Sequence, residues 1–336
     1  MNYIGNIVKR AKKSPLNILT CCTHETAESI LAKCFPQHSW FALYHNSVKT
    51  WNPAFRECPP NYFLLKNGII PTELDIDVVL SQNKFGQFQL LAPIANRYRI
   101  PLISFEHTMT MPNWTEQQIA QLKNMKGDIN LFITESSRKA WGWSETEAGV
   151  IEHAIDADVF CPNPNAVKQP YILSVCNQFS QPVRHLPCGF PLWKEVIKPN
   201  TNESLPWKHL GADDPGFSLP AKNLDDLILN YQTASVFINT SQYSPIPMAL
   251  LEAASIGVAC VSTATCEIPN YFTHGETALL SNNPNELRYF CVELLKNEKL
   301  RKQLGDNARQ MVKEKFNTVR YINDWNKIFA TLSTFN

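Results

Sequence analysis

The chain has 336 residues, a length that suits two domains of roughly 150 residues each better than one. Hydrophobic residues make up 44% of it, which is enough for two cores, and charged residues only 18%. The formal net charge of +1 gives no overall field to attract polyanions, which argues against a dedicated nucleic-acid-binding protein. No apolar run is long enough to span a bilayer.

The N-terminus carries a basic cluster, Lys9, Arg10, Lys12 and Lys13, that is not followed by a long apolar run. This pattern does not predict a signal peptide. It favours a solvated first helix, and a short amphipathic anchor for peripheral contact with a membrane is the alternative. The ten cysteines form no paired Cys-x-x-Cys array, which is typical of reduced thiols in a cytoplasmic protein and predicts no zinc site.

Along the first half, short apolar runs alternate with longer helical patterns such as Ala27–Cys34 and Thr115–Asn124. This alternation predicts a parallel α/β sheet. The predicted strands of the first half are Asn17–Cys22, Trp40–Tyr44, Val78–Leu80, Leu102–Phe105, Leu131–Thr134 and Gly149–Glu152.

A polar stretch with two prolines, Cys161–Gln169, predicts a linker between the first domain, residues 1–160, and a second domain, residues 170–315. Two doubly wound domains joined in this way place a cleft at the carboxyl ends of their strands, where ligands bind in such folds. The predicted strands of the second domain are Tyr171–Val175, Val236–Asn239, Val258–Ser262 and Ala278–Leu280.

The most informative segment follows the strand Val236–Asn239. A helix is predicted over Pro247–Ile256, with proline as its first residue and Gly257 as a left-handed cap. The backbone N–H groups of Met248, Ala249 and Leu250 lie at the positive end of this helix and could hold a diphosphate. Every strand–loop–helix unit has such an end, so this feature alone does not decide between a binding site and plain structure.

Glu252 is the one charged residue of this helix, whose other residues are apolar or small on every face. We therefore expect a buried helix and a buried carboxylate, which must be paired or hydrogen-bonded. The diol of a ribose is one such partner, and a structural lysine or arginine is the alternative.

The segment from Ser244 to Glu252 resembles the E-x7-E stretch of the retaining glycosyltransferases of family four, whose fold is GT-B. In that family the first Glu contacts the donor sugar and the last Glu, within a Leu-Leu-Glu-Ala run, holds the donor ribose. The resemblance implies that Glu252 holds the ribose of a nucleotide diphosphate sugar. Ser244 stands in place of the first Glu and brings no charge, which leaves the identity of the donor sugar open.

Other stretches agree with the family in order and spacing. Val150–Phe160 resembles the segment that closes the first domain, and Glu267–Leu280 resembles a Pro-Glu step followed by an Asp-Gly-x-x-Gly-Leu-Leu run. Residues 316–336 contain a helix that resembles the one crossing back to the first domain. The resemblance thus implies a GT-B fold, with two Rossmann-like doubly wound parallel-sheet domains facing across a cleft.

In the same family a glycine and a basic pair on the donor diphosphate follow the first strand of the second domain. Here Cys176 and Asn177 stand in that stretch, and Arg184 is the nearest basic residue of the loop that follows. We assign phosphate neutralisation to Arg184, because a guanidinium meets two oxygens at once, and donor contact to Asn177. A surface role for Arg184 is the alternative, and Lys194 is a weaker candidate for the phosphate.

Two histidines follow predicted strands of the first domain. His107 comes after Leu102–Phe105, and the resemblance implies that it meets the donor sugar; packing or capping in a loop is the alternative. His24 follows the first strand, where the family has a glycine-rich turn, and its donor-binding and structural interpretations are evenly matched. Thr23 or Thr26 is expected to cap the following helix.

The resemblance implies a retaining, front-face reaction in which the leaving phosphate takes the acceptor proton. No carboxylate pair straddles the sugar, so a double displacement is not predicted, and no Asp-x-Asp motif lies on the cleft side, so no metal is expected to be required. The acceptor is open: a glycan, a lipid-linked or small molecule, or, less compatible with the net charge, a modified base in duplex DNA. The alternatives to a transferase are a catalytically idle relative that binds a nucleotide or a glycan, and an epimerase or phosphorylase on a similar scaffold.

Overall fold

The computed structural model of the protein describes residues 15–44, 50–53, 55–198, 203–212, 214 and 216–332. The basic cluster at residues 9–13, for which a solvated helix is predicted and a membrane contact is the alternative, lies outside these residues. The chain divides into two compact units. The first comprises residues up to Ile133, Arg138–Glu152 and residues from Val319 onward; the second comprises Thr134–Ser137 and His153–Thr318.

The first unit is built on a parallel sheet in the order β3-β2-β1-β4-β5-β6-β7. This is the strand order of dinucleotide-binding α/β folds, with the order reversing between β1 and β4. The central strands β1 and β4 are buried along almost their whole length, as expected for a sheet covered on both faces. The strands are β1 (Asn17–Cys21), β2 (Ser39–Tyr44), β3 (Tyr62–Lys66), β4 (Val78–Ser81), β5 (Leu102–Glu106), β6 (Ile129–Phe132) and β7 (Gly149–Val150).

The helices associated with this sheet follow its strands, as right-handed parallel crossovers require. A π-helical segment, Lys84–Phe88, joins β4 to the second helix. The core side chains include Leu19, Val79 and Leu91. The helices are α1 (Glu25–Cys34), α2 (Gln89–Tyr98), α3 (Glu116–Lys123), α4 (Glu135–Ala140) and, at the end of the chain, α12 (Thr318–Thr331).

The second unit is built on a parallel sheet in the order β12-β11-β10-β8-β9. Counted from β8, the order is 2-1-3-4-5, the other common arrangement of doubly wound sheets, with the switch between β8 and β10. The strands are β8 (Gln169–Val175), β9 (Trp207–Leu210), β10 (Ala234–Asn239), β11 (Ala259–Ser262) and β12 (Leu279–Leu280).

The longer helices of the second unit begin at local caps that the sequence provides. The side chains of Asn223, Asn283 and Asn297 each accept a hydrogen bond from a backbone N–H of the helix that they precede. The helices are α5 (His185–Cys188), α6 (Phe190–Ile197), α7 (Leu224–Thr233), α8 (Met248–Ile256), α9 (Ile268–Tyr271), α10 (Pro284–Lys296) and α11 (Glu298–Lys315).

The predicted fold class, two doubly wound parallel sheets, is confirmed. Every predicted strand is present, with bounds shifted by at most two residues, whereas β3 and β9 were not predicted. The main body of the first unit ends at Glu152, whereas the predicted boundary is residue 160, and the polar stretch Cys161–Gln169 belongs to the second unit. The C-terminal segment from Val319 belongs to the first unit.

Candidate donor site

The loops that follow β8, β10 and β11 lie at one edge of the second sheet, because the carboxyl ends of parallel strands meet there. The loop after β8 carries Asn177, and the loop after β10 carries Ser244 before it enters α8. Hydrogen bonds join the loops after β8 and β10: the N–H of Gln242 donates to the carbonyl of Leu186 at 3.3 Å, and the hydroxyl of Thr240 donates to the carbonyl of Cys188 at 3.4 Å. This edge therefore gathers the predicted donor-site residues of the second unit.

The helix α8 begins one residue later than predicted. Pro247 has extended backbone angles and is the N-cap residue, and the first helical residue is Met248. The carbonyl of Pro247 accepts from the N–H of Leu250 at 3.1 Å and of Leu251 at 3.3 Å. Because the Leu250 amide is engaged inside the helix, the predicted diphosphate cradle reduces to the amides of Met248 and Ala249, both half-buried.

Glu252 is buried, with 4% of its surface exposed, as the sequence predicted. The sequence left a ribose diol, or a structural lysine or arginine, as the partner of this carboxylate. Within the protein the hydroxyl of Tyr231 donates to Oε2 of Glu252 at 3.0 Å. Tyr231 lies on α7 and is fully buried. Sequence reasoning missed Tyr231, and the available signal was that a buried tyrosine hydroxyl generally needs a hydrogen-bond partner.

Arg184 ends a short 3-10 turn, Pro182–Arg184, and its guanidinium contacts the thiols of Cys176 and Cys188. Hydrogen bonding from the Cys176 thiol, together with the charge of Arg184, lowers the pKa of Cys188 to about 7. The structure thus places the predicted phosphate ligand at the end of β8, beside a thiol that ionises near neutrality. Lys194 is exposed on α6.

Asn177 is exposed at the end of β8, and its side-chain oxygen accepts from the N–H of Ala212 at 2.9 Å. The following residue, Gln178, has a positive φ of 55°, a backbone conformation that side chains other than glycine adopt uncommonly. This turn therefore holds the loops after β8 and β9 together, and Asn177 is part of that link.

Ser244 is half-buried, and its backbone N–H contacts the thiol of Cys266. Cys266 has a φ of 50°, a second left-handed residue at this edge, and burial raises the pKa of its thiol. Glu267, next in the chain, donates its N–H to the carbonyl of Pro245 at 3.2 Å. The loop after β11 is thus fastened to the segment that carries Ser244.

The two predicted histidines lie in the first unit. His24 is exposed and is the N-cap residue of α1. The predicted threonine cap is wrong: the carboxylate of Glu28 accepts from the N–H groups of Thr23 and His24 instead. A glutamate in the first turn can do this because it reaches back to the amides that precede the helix.

His107 follows β5 and is half-buried, with its ring 4.4 Å from that of Phe105. The next residue, Thr108, donates its N–H to the carboxylate of Glu106 at 3.0 Å and its hydroxyl at 2.8 Å. The carbonyl of Thr108 accepts from the indole of Trp141 at 2.9 Å. The turn that presents His107 is therefore fixed on both sides by buried side chains.

Within the described residues, no three His, Cys, Asp or Glu side chains are grouped so that they could hold a metal ion. The same part of the chain contains no helix of sufficient length and apolar character to cross a membrane.

These two units define the GT-B fold. Sucrose-phosphate synthase of Thermosynechococcus elongatus has a similar structure, with a TM-score of 0.73 over 96% of this chain and 100% of that protein at 13% identity. The structure of Anabaena HepE in complex with UDP-glucose gives a TM-score of 0.72 over 94% of this chain and 100% of that one, also at 13% identity. At such identities the similarity concerns the fold alone.

Sequence comparison identifies the second unit more closely. Residues 203–311, which include Tyr231 and Glu252, match the family Glycosyl transferases group 1. N-acetyl-alpha-D-glucosaminyl L-malate synthase of Bacillus anthracis is 30% identical over 91 residues, which cover 26% of this chain and 24% of that protein. An uncharacterised glycosyltransferase of Methanocaldococcus jannaschii is 28% identical over 104 residues, 30% of this chain and 26% of that protein. The chain thus spans about a quarter of the length of these curated relatives.

Proposed function

We propose that the protein is a glycosyltransferase that moves a sugar from a nucleoside diphosphate donor to a hydroxyl acceptor with retention of configuration. The observation that carries this proposal is the buried carboxylate of Glu252 on α8, one turn beyond the helix start, at the edge where doubly wound sheets bind ligands. It is supported by the family match over residues 203–311 and by the UDP-glucose complex of a protein with the same fold. The ten cysteines favour a reducing compartment such as the cytoplasm.

In this proposal Glu252 accepts hydrogen bonds from the ribose diol of the donor. The amides of Met248 and Ala249, at the positive end of α8, and the guanidinium of Arg184 stabilise the diphosphate. Ser244 contacts the donor sugar through its hydroxyl, and Asn177 shapes the loop beside the phosphates.

The chemistry follows from where charge develops. As the anomeric bond lengthens, negative charge grows on the leaving phosphate, and fixed amides and a guanidinium stabilise it more in the transition state than in the ground state. The acceptor hydroxyl then attacks from the same face, and its proton passes to the leaving phosphate. We extend the proposal to His107 as a donor-sugar contact and His24 as a further donor ligand, and we expect no metal to be required.

The test is a calorimetric titration with UDP, GDP, ADP and CDP, followed by the matching nucleotide sugars. We expect one diphosphate to bind, with a rise in melting temperature from mass action, and Glu252→Ala to abolish that binding. Glu298→Gln, an exposed glutamate of the same unit, is the control and should bind as the wild type does. If none of the four diphosphates binds, or if Glu252→Ala binds normally, the donor site is wrong.

The second candidate is a catalytically idle protein that binds the donor. Ser244 favours it, because a serine stands where the resembling family has the carboxylate that contacts the donor sugar. The slow hydrolysis of a bound nucleotide sugar by water distinguishes a transferase from an idle binding protein. It is measured with the sugar conjugate of the nucleotide that binds in the titration. Release of free sugar supports the transferase, and binding without release over many hours supports the idle protein.

A further inference from the structure

Tyr231 is mounted rigidly beside the buried helix α8. Its ring lies 5.8 Å from that of Phe237 on β10, and its hydroxyl is 3.0 Å from Oε2 of Glu252 and 3.4 Å from the carbonyl of Ala249. One hydroxyl thus contacts both the carboxylate and the first turn of the helix that carries it.

The helix α7 that carries Tyr231 is fixed at both ends. At its start the side chain of Asn223 accepts from the N–H of Asp226 at 2.9 Å. At its end the hydroxyl of Tyr171 on β8 lies 2.9 Å from the carbonyl of Asn230 and 2.9 Å from the hydroxyl of Thr233. The Tyr231 hydroxyl therefore has a defined position relative to Glu252.

A tyrosine hydroxyl suits this place for two physical reasons. A hydrogen bond to an ionised carboxylate is stronger than one between neutral groups, and burial strengthens it further. A carboxylate has about four acceptor positions, so the bond from Tyr231 occupies one of them and constrains the orientation of the group.

We propose that Tyr231 is a positioning residue of the donor site: its hydroxyl holds the Glu252 carboxylate in the orientation that receives the ribose diol, which makes the site selective for ribonucleotides. This inference rests on the proposed function, since it requires that Glu252 binds the ribose. Through the Ala249 carbonyl, the same hydroxyl also keeps the ribose ligand in register with the amides proposed for the diphosphate.

The test combines a one-atom change in the protein with removal of the diol from the ligand. Binding of UDP and of 2′,3′-dideoxy-UDP is measured by calorimetry for the wild type and for Tyr231→Phe. We expect the wild type to bind UDP more than about tenfold more tightly than the dideoxy ligand, and Tyr231→Phe to lose about tenfold for UDP while changing little for the dideoxy ligand. A loss of affinity for UDP that is absent for the dideoxy ligand shows that the Tyr231 hydroxyl and the ribose diol act on binding together.

Tyr171→Phe is the matched control, because it removes a hydroxyl that anchors the same helix without contacting Glu252. It should lower the melting temperature and leave the ratio of the two affinities as in the wild type. If Tyr231→Phe weakens both ligands equally, or neither, Tyr231 has only a structural role and the inference is wrong. If the wild type itself binds the two ligands equally, the ribose role of Glu252 fails, and the positioning role of Tyr231 fails with it.

Discussion

The backbone N–H of Lys84 donates a hydrogen bond of 2.9 Å to the carboxylate of Glu106, and both residues are buried in the first unit. The ammonium of Lys84 donates to the carbonyl of Met125 at 2.6 Å and to the hydroxyl of Ser104 at 3.2 Å. Because Glu106 also holds Thr108, this contact ties the π-helical segment after β4 to the turn that presents His107. Short π-helical segments are frequent at functional sites, and this one is fastened by ionisable groups.

Burial of the Lys84 ammonium makes the stability of the protein depend on pH. Burial lowers the pKa of Lys84 from 10.5 to about 8, and the carboxylate of Glu106 opposes this only in part. Between these two values the unfolded chain binds more protons than the folded protein, so the contribution of Lys84 to the free energy of unfolding increases with rising pH. Between pH 8 and 10.5 the free energy of unfolding of the wild type, relative to that of Lys84→Met, should rise by roughly 1 kcal/mol per pH unit. Urea unfolding at several pH values measures this difference.

Lys126→Met is the control for this slope, because Lys126 is exposed near the same part of the sheet. Its unfolding free energy should run parallel to that of the wild type at every pH. Parallel curves for Lys84→Met would show that the ammonium is not desolvated in the folded protein.

A close backbone contact at the candidate donor site predicts that two glycine substitutions lower the free energy of unfolding by different amounts. Gly189 has a φ of 78°, and a Cβ built on it would lie 1.6 Å from the carbonyl oxygen of Thr240. Gly275 has a φ of 79°, but a Cβ there would meet no atom within 4 Å. Gly275→Ala should therefore lower the unfolding free energy by about 1 kcal/mol through backbone strain alone.

Gly189→Ala should lower the free energy of unfolding by roughly 4 kcal/mol or more, because the start of α6 must move away from the end of β10. The measurement is the urea midpoint of both variants. If both variants lose the same unfolding free energy, the backbone at Gly189 accommodates a Cβ beside Thr240 and the prediction is wrong.

The fold was predictable where the sequence pattern is local. The strand β10, the cap at Gly257 and the buried carboxylate between them could be predicted, because burial, a left-handed φ of 80° and helical spacing leave direct traces in the sequence. The strand β3 was missed because it lies at the sheet edge with only Tyr62 buried, so it lacks a regular pattern. The π-helical segment was missed because its sequence, KFGQF, does not differ from that of an ordinary loop.

The contacts between side chains at the candidate site could not be predicted from the sequence. The apolar neighbours of Glu252 in the chain indicate that its carboxylate needs a partner. The contact with Tyr231 depends on the packing of α7 beside α8, which the sequence does not show. In the same way, the two thiols beside Arg184 come from the end of β8 and from α5, and nothing in their spacing indicates the contact.

The thiol of Cys188 should be alkylated before the buried thiols of Cys260 and Cys291 in the same unit. Its pKa of about 7 makes it roughly half ionised at neutral pH, against a few per cent for an ordinary thiol. Burial raises the pKa of Cys291 to about 12 and raises that of Cys260 as well. Mass spectrometry after brief exposure to iodoacetamide at pH 7 should find Cys188 modified before either, and Arg184→Gln should slow its modification. An unchanged rate in Arg184→Gln would show that the guanidinium does not stabilise the thiolate.

Arg184 also gives the sharpest test of how the diphosphate is held. If its guanidinium bonds the phosphates, Arg184→Gln should weaken UDP binding by roughly tenfold to a hundredfold, since a charge-assisted hydrogen bond to a phosphate is among the stronger polar contacts. Binding of uridine, which has no phosphate, should change little, and calorimetry with both ligands separates the two effects. Lys194→Gln, an exposed cation on the neighbouring helix α6, should bind UDP as the wild type does. If Lys194→Gln weakens UDP binding and Arg184→Gln does not, Lys194 is the phosphate ligand, and Arg184 contacts only the thiols of Cys176 and Cys188.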